Sequence, residues 1–223
     1  MYIKEMIFIK NRFLTLMILF MSFALIFSPL TTEAKGKGAQ QRQCISKSSE
    51  QLKHSLQKLW IDHTIWTRSY MVSALSDLDD KEEVLNRLLK NQDDIGNAIK
   101  PYYGDAAGNK LAELLREHIV LAGKVVDAAK SRNQENLKKF NAEWYRNADD
   151  IALFLSKANP NWSNDELKEL LYTHLKLLTD QVVSRIKKDT DAEISAFDKG
   201  EDHIIKLADT LTEGIIKQFP NKF

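Results

Sequence analysis

The chain has little of what most folds use as staples or punctuation. Its 223 residues include one cysteine, four prolines and eight glycines. The single Cys44 cannot close an internal disulfide, so stability must come from a core, and the thiol can at most cross-link two copies. No segment alternates apolar and polar residues between turn signals, which excludes a predicted sheet. Charge of one sign is also lacking, with a formal net charge of +1. A balanced chain of interspersed charges has no electrostatic footprint for nucleic acid. There is no Gly-x-Ser-x-Gly, no Gly-rich phosphate loop and no His beside the cysteine, which argues against nucleophilic chemistry and phosphate-loop nucleotides.

One long hydrophobic run is present, and it lies at the N-terminus. Lys4, Lys10 and Arg12 precede an apolar stretch over 13–28, which Pro29 ends, and Thr32-Glu33-Ala34 then offers small residues to a peptidase. This pattern predicts a secretory signal peptide over 1–34, with an uncleaved anchor as the alternative and the only membrane contact foreseen. Cleavage removes three of the 32 basic and two of the 31 acidic residues, leaving 29 of each. The expected location is therefore outside the cell or in its envelope. Residues 35–47, rich in Gly, Gln and Lys, read as a flexible linker.

With 43% hydrophobic and 28% charged residues, the chain has a helical, globular composition. Apolar residues mostly recur at steps of three and four, as in Leu52, Leu56, Leu59 and Trp60. Six helices are expected, over about 48–78, 81–100, 109–130, 135–158, 164–187 and 189–218. Ser48 or Ser49 caps the first, Pro101 stops the second before a turn at 102–105, and Ser163 with Glu166 forms a capping box. Gly200 is a soft spot in the last.

The helices repeat. Asn91-Gln92-Asp93-Asp94-Ile95 returns as Asn147-Ala148-Asp149-Asp150-Ile151, 56 residues later. Leu111, Leu114, Leu115 and His118 map in the same register onto Leu167, Leu170, Leu171 and His174. A fainter copy places His63 with His118 at an offset of 55, and Asp202-His203-Ile204 with Asp149-Asp150-Ile151 at 53. The predicted fold is an all-α, six-helix bundle over 48–223, built from three repeated hairpins.

In such a bundle the middles of paired helices lie at similar depth. Imidazoles and carboxylates there need partners, because burying them alone is costly. The functional expectation is a metal site of His63, Asp94, His118, Asp150, His174 and His203 for a transition metal (Fe, Mn, Zn or Cu), with Asp93 and Asp149 orienting the imidazoles. The competing expectation is a set of polar staples that fix helix register. Trp66 and Arg68 are candidate ligand-binding residues, with the guanidinium gripping a carboxylate. The aromatic turns at 102–104 and 159–162 fall at one end of the bundle and plug it or meet a partner.

His63-Thr64-Ile65-Trp66-Thr67-Arg68, the run from Asn91 through Pro101-Tyr102-Tyr103-Gly104, Asn159-Pro160-Asn161-Trp162 and Gln218-Phe219-Pro220 together resemble an uncharacterised family of exported helical proteins of spore-forming Gram-positive bacteria. Its members carry labels such as glycosyltransferase or acetylglutamate kinase, which imply α/β folds that this composition does not support. The resemblance implies export and the repeat and adds no active-site residue. The leading expectation is a binding or envelope-associated protein with a metal or small ligand among the central His and Asp residues. The alternatives are a metal-dependent redox or hydrolytic enzyme on the same cluster, and a structural or interaction module.

Overall fold

The computed structural model describes residues 46–223, so the expected leader, Cys44 and nearly all of the expected linker lie outside the described residues. Five helices follow in order: α1 (Lys47–Ser76), α2 (Lys81–Lys130), α3 (Gln134–Ala158), α4 (Asn164–Ile186) and α5 (Thr190–Gln218). A 3-10 turn, Pro220–Lys222, ends the chain. There is no strand among the described residues, and the fold is an all-α bundle. None of the described helices is long and apolar enough to cross a membrane.

Local chemistry sets the helix ends. The cap of α1 is Ser46, whose hydroxyl accepts from Ser49 N, rather than the expected Ser48 or Ser49. Ser49 is buried instead. Asn133, Ser163 and Asp189 cap α3, α4 and α5 through side-chain oxygens, each supplying an acceptor to an otherwise unpaired N–H. The residues that follow the ends of α1, α2 and α4 turn left-handed: Asp77 (φ 53°), Arg132 (φ 56°) and Lys188 (φ 62°). Each turn is closed by the same reach-back bond, Leu78 N to Ser73 O, Asn133 N to Ala128 O and Asp189 N to Ser184 O.

Helix α2 departs from expectation. Pro101 does not stop it, and the break falls at Gly104, inside the expected turn at 102–105. The helical backbone continues past Pro101, which itself donates no hydrogen bond, and one residue, Gly104 (φ 82°, ψ 170°), reverses the direction. Only glycine adopts that conformation without strain. The two limbs then lie antiparallel. Arg116 reaches Asp93 at 2.6 Å across them, whereas 23 residues of straight helix would separate the pair by about 35 Å. Close approach needs bare backbone on both sides: a Cβ on Gly96 would lie 2.5 Å from Gly108 O and 2.8 Å from Ala112 Cβ.

Neighbouring helices pack in sequence order, α1 on α2, α2 on α3, α3 on α4 and α4 on α5, and α5 closes the ring against α1. Leu56, Met71, Ile95, Ile119, Ile151 and Ile204 are among the fully buried side chains at the centre. The end of the bundle that holds Gly104 is plugged by aromatics. Tyr103 packs on Trp162 and Phe219, donates its hydroxyl to Gln218 Oε1 at 2.8 Å and accepts from Asn159 Nδ2 at 2.9 Å. Trp162 donates to Thr210 O and lies on Gly214, where a Cβ would come within 1.9 Å of Nε1.

Two glycines of α5 therefore respond oppositely to the same change. Gly214→Ala should lower stability by about 1–2 kcal/mol, overpacking against a rigid indole outweighing the gain in helix propensity. Gly200→Ala meets only Gln181 Nε2, at 3.4 Å, and should raise stability by up to about 1 kcal/mol. Urea unfolding of both variants measures the contrast, and equal shifts would show that the Trp162 contact does not exist.

Candidate functional site

The three predicted imidazoles meet. His63 on α1, His118 on the second limb of α2 and His174 on α4 are 2%, 3% and 8% exposed. The Nε2 atoms of His63 and His174 are 3.4 Å apart, and the His118 and His174 rings stack with centroids 6.2 Å apart. Neighbouring groups dictate where the protons sit. Trp144 Nε1, which can only donate, lies 3.2 Å from His118 Nε2. His118 therefore carries its proton on Nδ1 and gives it to Asn147 Oδ1 at 2.8 Å. The amide Nε2 of Gln92 lies 3.3 Å from His63 Nδ1, which makes that nitrogen an acceptor. His63 Nε2–H then points at His174 Nε2.

Burial holds all three imidazoles neutral. It pushes His63 down to about 3, with the His118 charge adding to the effect, and His118 down to about 4 against the opposing Asn147 bond. His174 falls well below its usual value for the same reason, reinforced by the other histidines. Satisfaction is incomplete at one corner: Trp60 Nε1, Thr67 Oγ1 and Gln92 Oε1 are buried without a hydrogen-bond partner among the described residues.

One turn from each imidazole, the following helix limb inserts a side chain into a backbone carbonyl. Asn91 Nδ2 donates to Leu59 O at 3.0 Å, Asn147 Nδ2 to Leu114 O at 3.1 Å, and His203 Nε2 to Leu170 O at 2.7 Å. Leu59, Leu114 and Leu170 each stand four residues before a core histidine. His203 therefore makes the same kind of carbonyl bond as Asn147, whereas the offset of 53 pairs it with Asp150.

The expected six-residue metal set does not assemble. His203 is committed to the Leu170 carbonyl. Asp94 and Asp150 pair along their own helices with Lys90 at 3.1 Å and Arg146 at 2.8 Å. Asp93 and Asp149 orient no imidazole and bind Arg116, and Lys168 with Tyr172, on neighbouring segments. The core-facing positions of these turns belong to Asn91, Gln92 and Ile95, and to Asn147, Ala148 and Ile151. A neutral amide can be buried with one or two bonds, whereas a carboxylate there would lose several kcal/mol of hydration, so the acids stay on the flank. Among the described residues no group of three or more His, Cys, Asp or Glu is placed to hold a metal ion.

Arg68 does grip a carboxylate, but an internal one. Its Nη2 lies 2.8 Å from Glu193 Oε1, and Arg185 Nη1 lies 2.9 Å from Oε2. Glu193 is 2% exposed, so two guanidiniums neutralise a buried acid. Arg68 also stacks on Phe197, and Trp66 is covered by Arg87. Neither forms the expected ligand pocket. No pattern in the sequence singled out Glu193, because its partners lie 125 and 8 residues away on other helices.

Two clefts open at the end of the bundle opposite the aromatic plug. The first, about 350 Å3, lies between the second limb of α2, α3 and α4. Ala122, Val126, Leu178 and Val182 form apolar walls, Trp144 lies within, and Gln134, Lys138 and Asn141 stand along α3. Trp144 thus touches both this cleft and His118. The second, about 420 Å3, is polar and lies among the ends of α1, α2 and α4 and the start of α5. Comparison with protein-family models, curated proteins and solved structures finds no match.

Two measurements probe the core. Because the unfolded chain binds protons before the folded one, the imidazoles leave stability intact above about pH 6.5. It is then lost as pH falls towards 3–4, by up to about 1.4 kcal/mol per pH unit for each of His63 and His118. Denaturant unfolding across this range should show that slope, and a flat profile would mean that the imidazoles are hydrated. A chelator should shift the melting temperature by less than about 1 °C, since a metal bound only to the folded state would add its binding energy to stability.

Proposed function

We propose that this is a non-enzymatic binding protein that works outside the cell or in its envelope and holds a ligand with an apolar body in the 350 Å3 cleft. The cleft carries the reading. Its size falls within the usual range for small-molecule sites, its walls are mostly aliphatic, and a few polar side chains stand along one helix, as such sites require. Val183, 40% exposed at this cleft, keeps apolar surface open to the ligand. Transfer of an aliphatic body from water to these walls supplies the driving force.

The scaffold reading that accompanies this is three copies of one hairpin. Support comes from the thrice-used carbonyl bond, the three left-handed turns and the three central imidazoles. On this view the six helical segments are α1, the two limbs of α2, α3, α4 and α5. The imidazoles serve as staples that hold register and set one wall of the cleft through Trp144. That Asp94 and Asp150 pair with Lys90 and Arg146 on the flank favours this reading over a metal-dependent enzyme on the same cluster.

The neutral dye Nile red tests the site. Its fluorescence should rise on binding with a micromolar Kd, and Val183→Asp, which sets a charge in the cleft without disturbing the core, should weaken it by about tenfold or more, about 1.4 kcal/mol. Absence of binding, or binding indifferent to Val183→Asp, would end the proposal.

A further inference from the structure

We infer that the ligand of the apolar cleft is an anionic amphiphile, its chain between α2, α3 and α4 and its acid head on Arg132 and Lys188. This rests on the binding function proposed above and adds the chemistry of the ligand. The two clefts share the last turns of α2 and α4 as a common wall. Ala129 lines the apolar cleft and the next residue, Lys130, the polar one. Val182 and Val183 line the first, and Arg185 and Ile186, one turn further on, line the second. Arg132 lines the polar cleft two residues before Gln134, which lines the apolar one. The head of a chain lying in the first cleft would thus lie within a few residues of the side chains that line the second.

That rim is cationic beyond its structural needs. Lys130, Arg132, Arg185 and Lys188 line the polar cleft with a single acid, Glu193. Glu193 is already held by Arg68 and Arg185, and Lys130 is bound to Asp77 and to Ala74 O. Arg132 and Lys188 have no ion-pair partner among the described residues, and both are exposed. The whole chain carries only one net positive charge, so this is a local concentration. Both residues also sit in left-handed backbone, at φ 56° and 62°, where glycine is the least strained occupant. Long cationic side chains stand at two places where the backbone would favour none. A guanidinium and an ammonium together suit a carboxylate or phosphate ester at the end of an aliphatic chain.

A simpler role for these cations is to complement the carbonyl ends of α2 and α4. The two roles separate in one experiment, displacement of Nile red from the purified protein by laurate, dodecyl phosphate and neutral dodecanol. Laurate and dodecyl phosphate should each displace the dye at concentrations at least about tenfold lower than dodecanol, and the advantage should shrink in high salt. Whichever acid shows the larger advantage identifies the head group. The double variant Arg132→Gln, Lys188→Gln should bring all three to the dodecanol value and leave dodecanol itself unchanged. Arg132→Gly, Lys188→Gly should do the same while keeping or raising the melting temperature, because glycine relieves the left-handed backbone. Equal displacement by all three in the unaltered protein would overturn the inference and leave the apolar site standing. So would an acid advantage that survives in either variant. Failure of dodecanol and Nile red to bind at all would remove the cleft reading itself, and with it this inference.

Discussion

Three uncharged imidazoles in one apolar core form the constraint to which the rest of the bundle conforms. Dispersion contacts between leucine-rich helices are tolerant of sliding, since one ridge resembles the next. Hydrogen bonds of fixed length are not. Each histidine-bearing segment is pinned one turn away by Asn91, Asn147 or His203 reaching into its backbone. A shift of one residue would leave the buried amides of Asn91 and Asn147 without their partners, at a cost of about 1–3 kcal/mol per group. Axial register is therefore set by polar geometry, and apolar burial supplies the bulk of the stability.

The two ends of the bundle are finished differently, and the difference prepares one of them for binding. At the Gly104 end the helices converge on an aromatic plug of Tyr102, Tyr103, Trp162 and Phe219. At the other end short left-handed turns hold α2, α3, α4 and α5 in place without filling the space between them. Trp144 joins the regions: its indole lines the apolar cleft and donates to His118 in the polar core. Changes at the cleft wall are thereby coupled to the group of histidines by a single hydrogen bond.

Much of this is legible in the sequence alone. The steps of three and four marked the helices, and the 56-residue echo marked His118 and His174 as equivalent. His63 followed from the fainter copy, and all three are indeed central. The Asp-Asp pairs misled, because they are the most conspicuous part of the echo. The neighbours Asn91 and Asn147 face inward, and the amides of Gln92 and Asn147, not the carboxylates, contact the imidazoles. The expected offset of 53 pairs His203 with Asp150, whereas the carbonyl bond that His203 makes is the kind made by Asn147.

The sequence by itself determined what is local: helicity, cap chemistry at Ser163, the mid-helix histidines and the balance of charge. Each depends on residues within a turn or two of one another, or on composition alone. Tertiary structure decided which way α2 turns, that Glu193 is held between Arg68 and Arg185, that Asp94 and Asp150 stay in water, and that clefts open at one end. Those outcomes depend on which helix lies opposite, at separations of up to 125 residues for the Arg68–Glu193 pair. A helical repeat of 3.6 residues carries no information at that range.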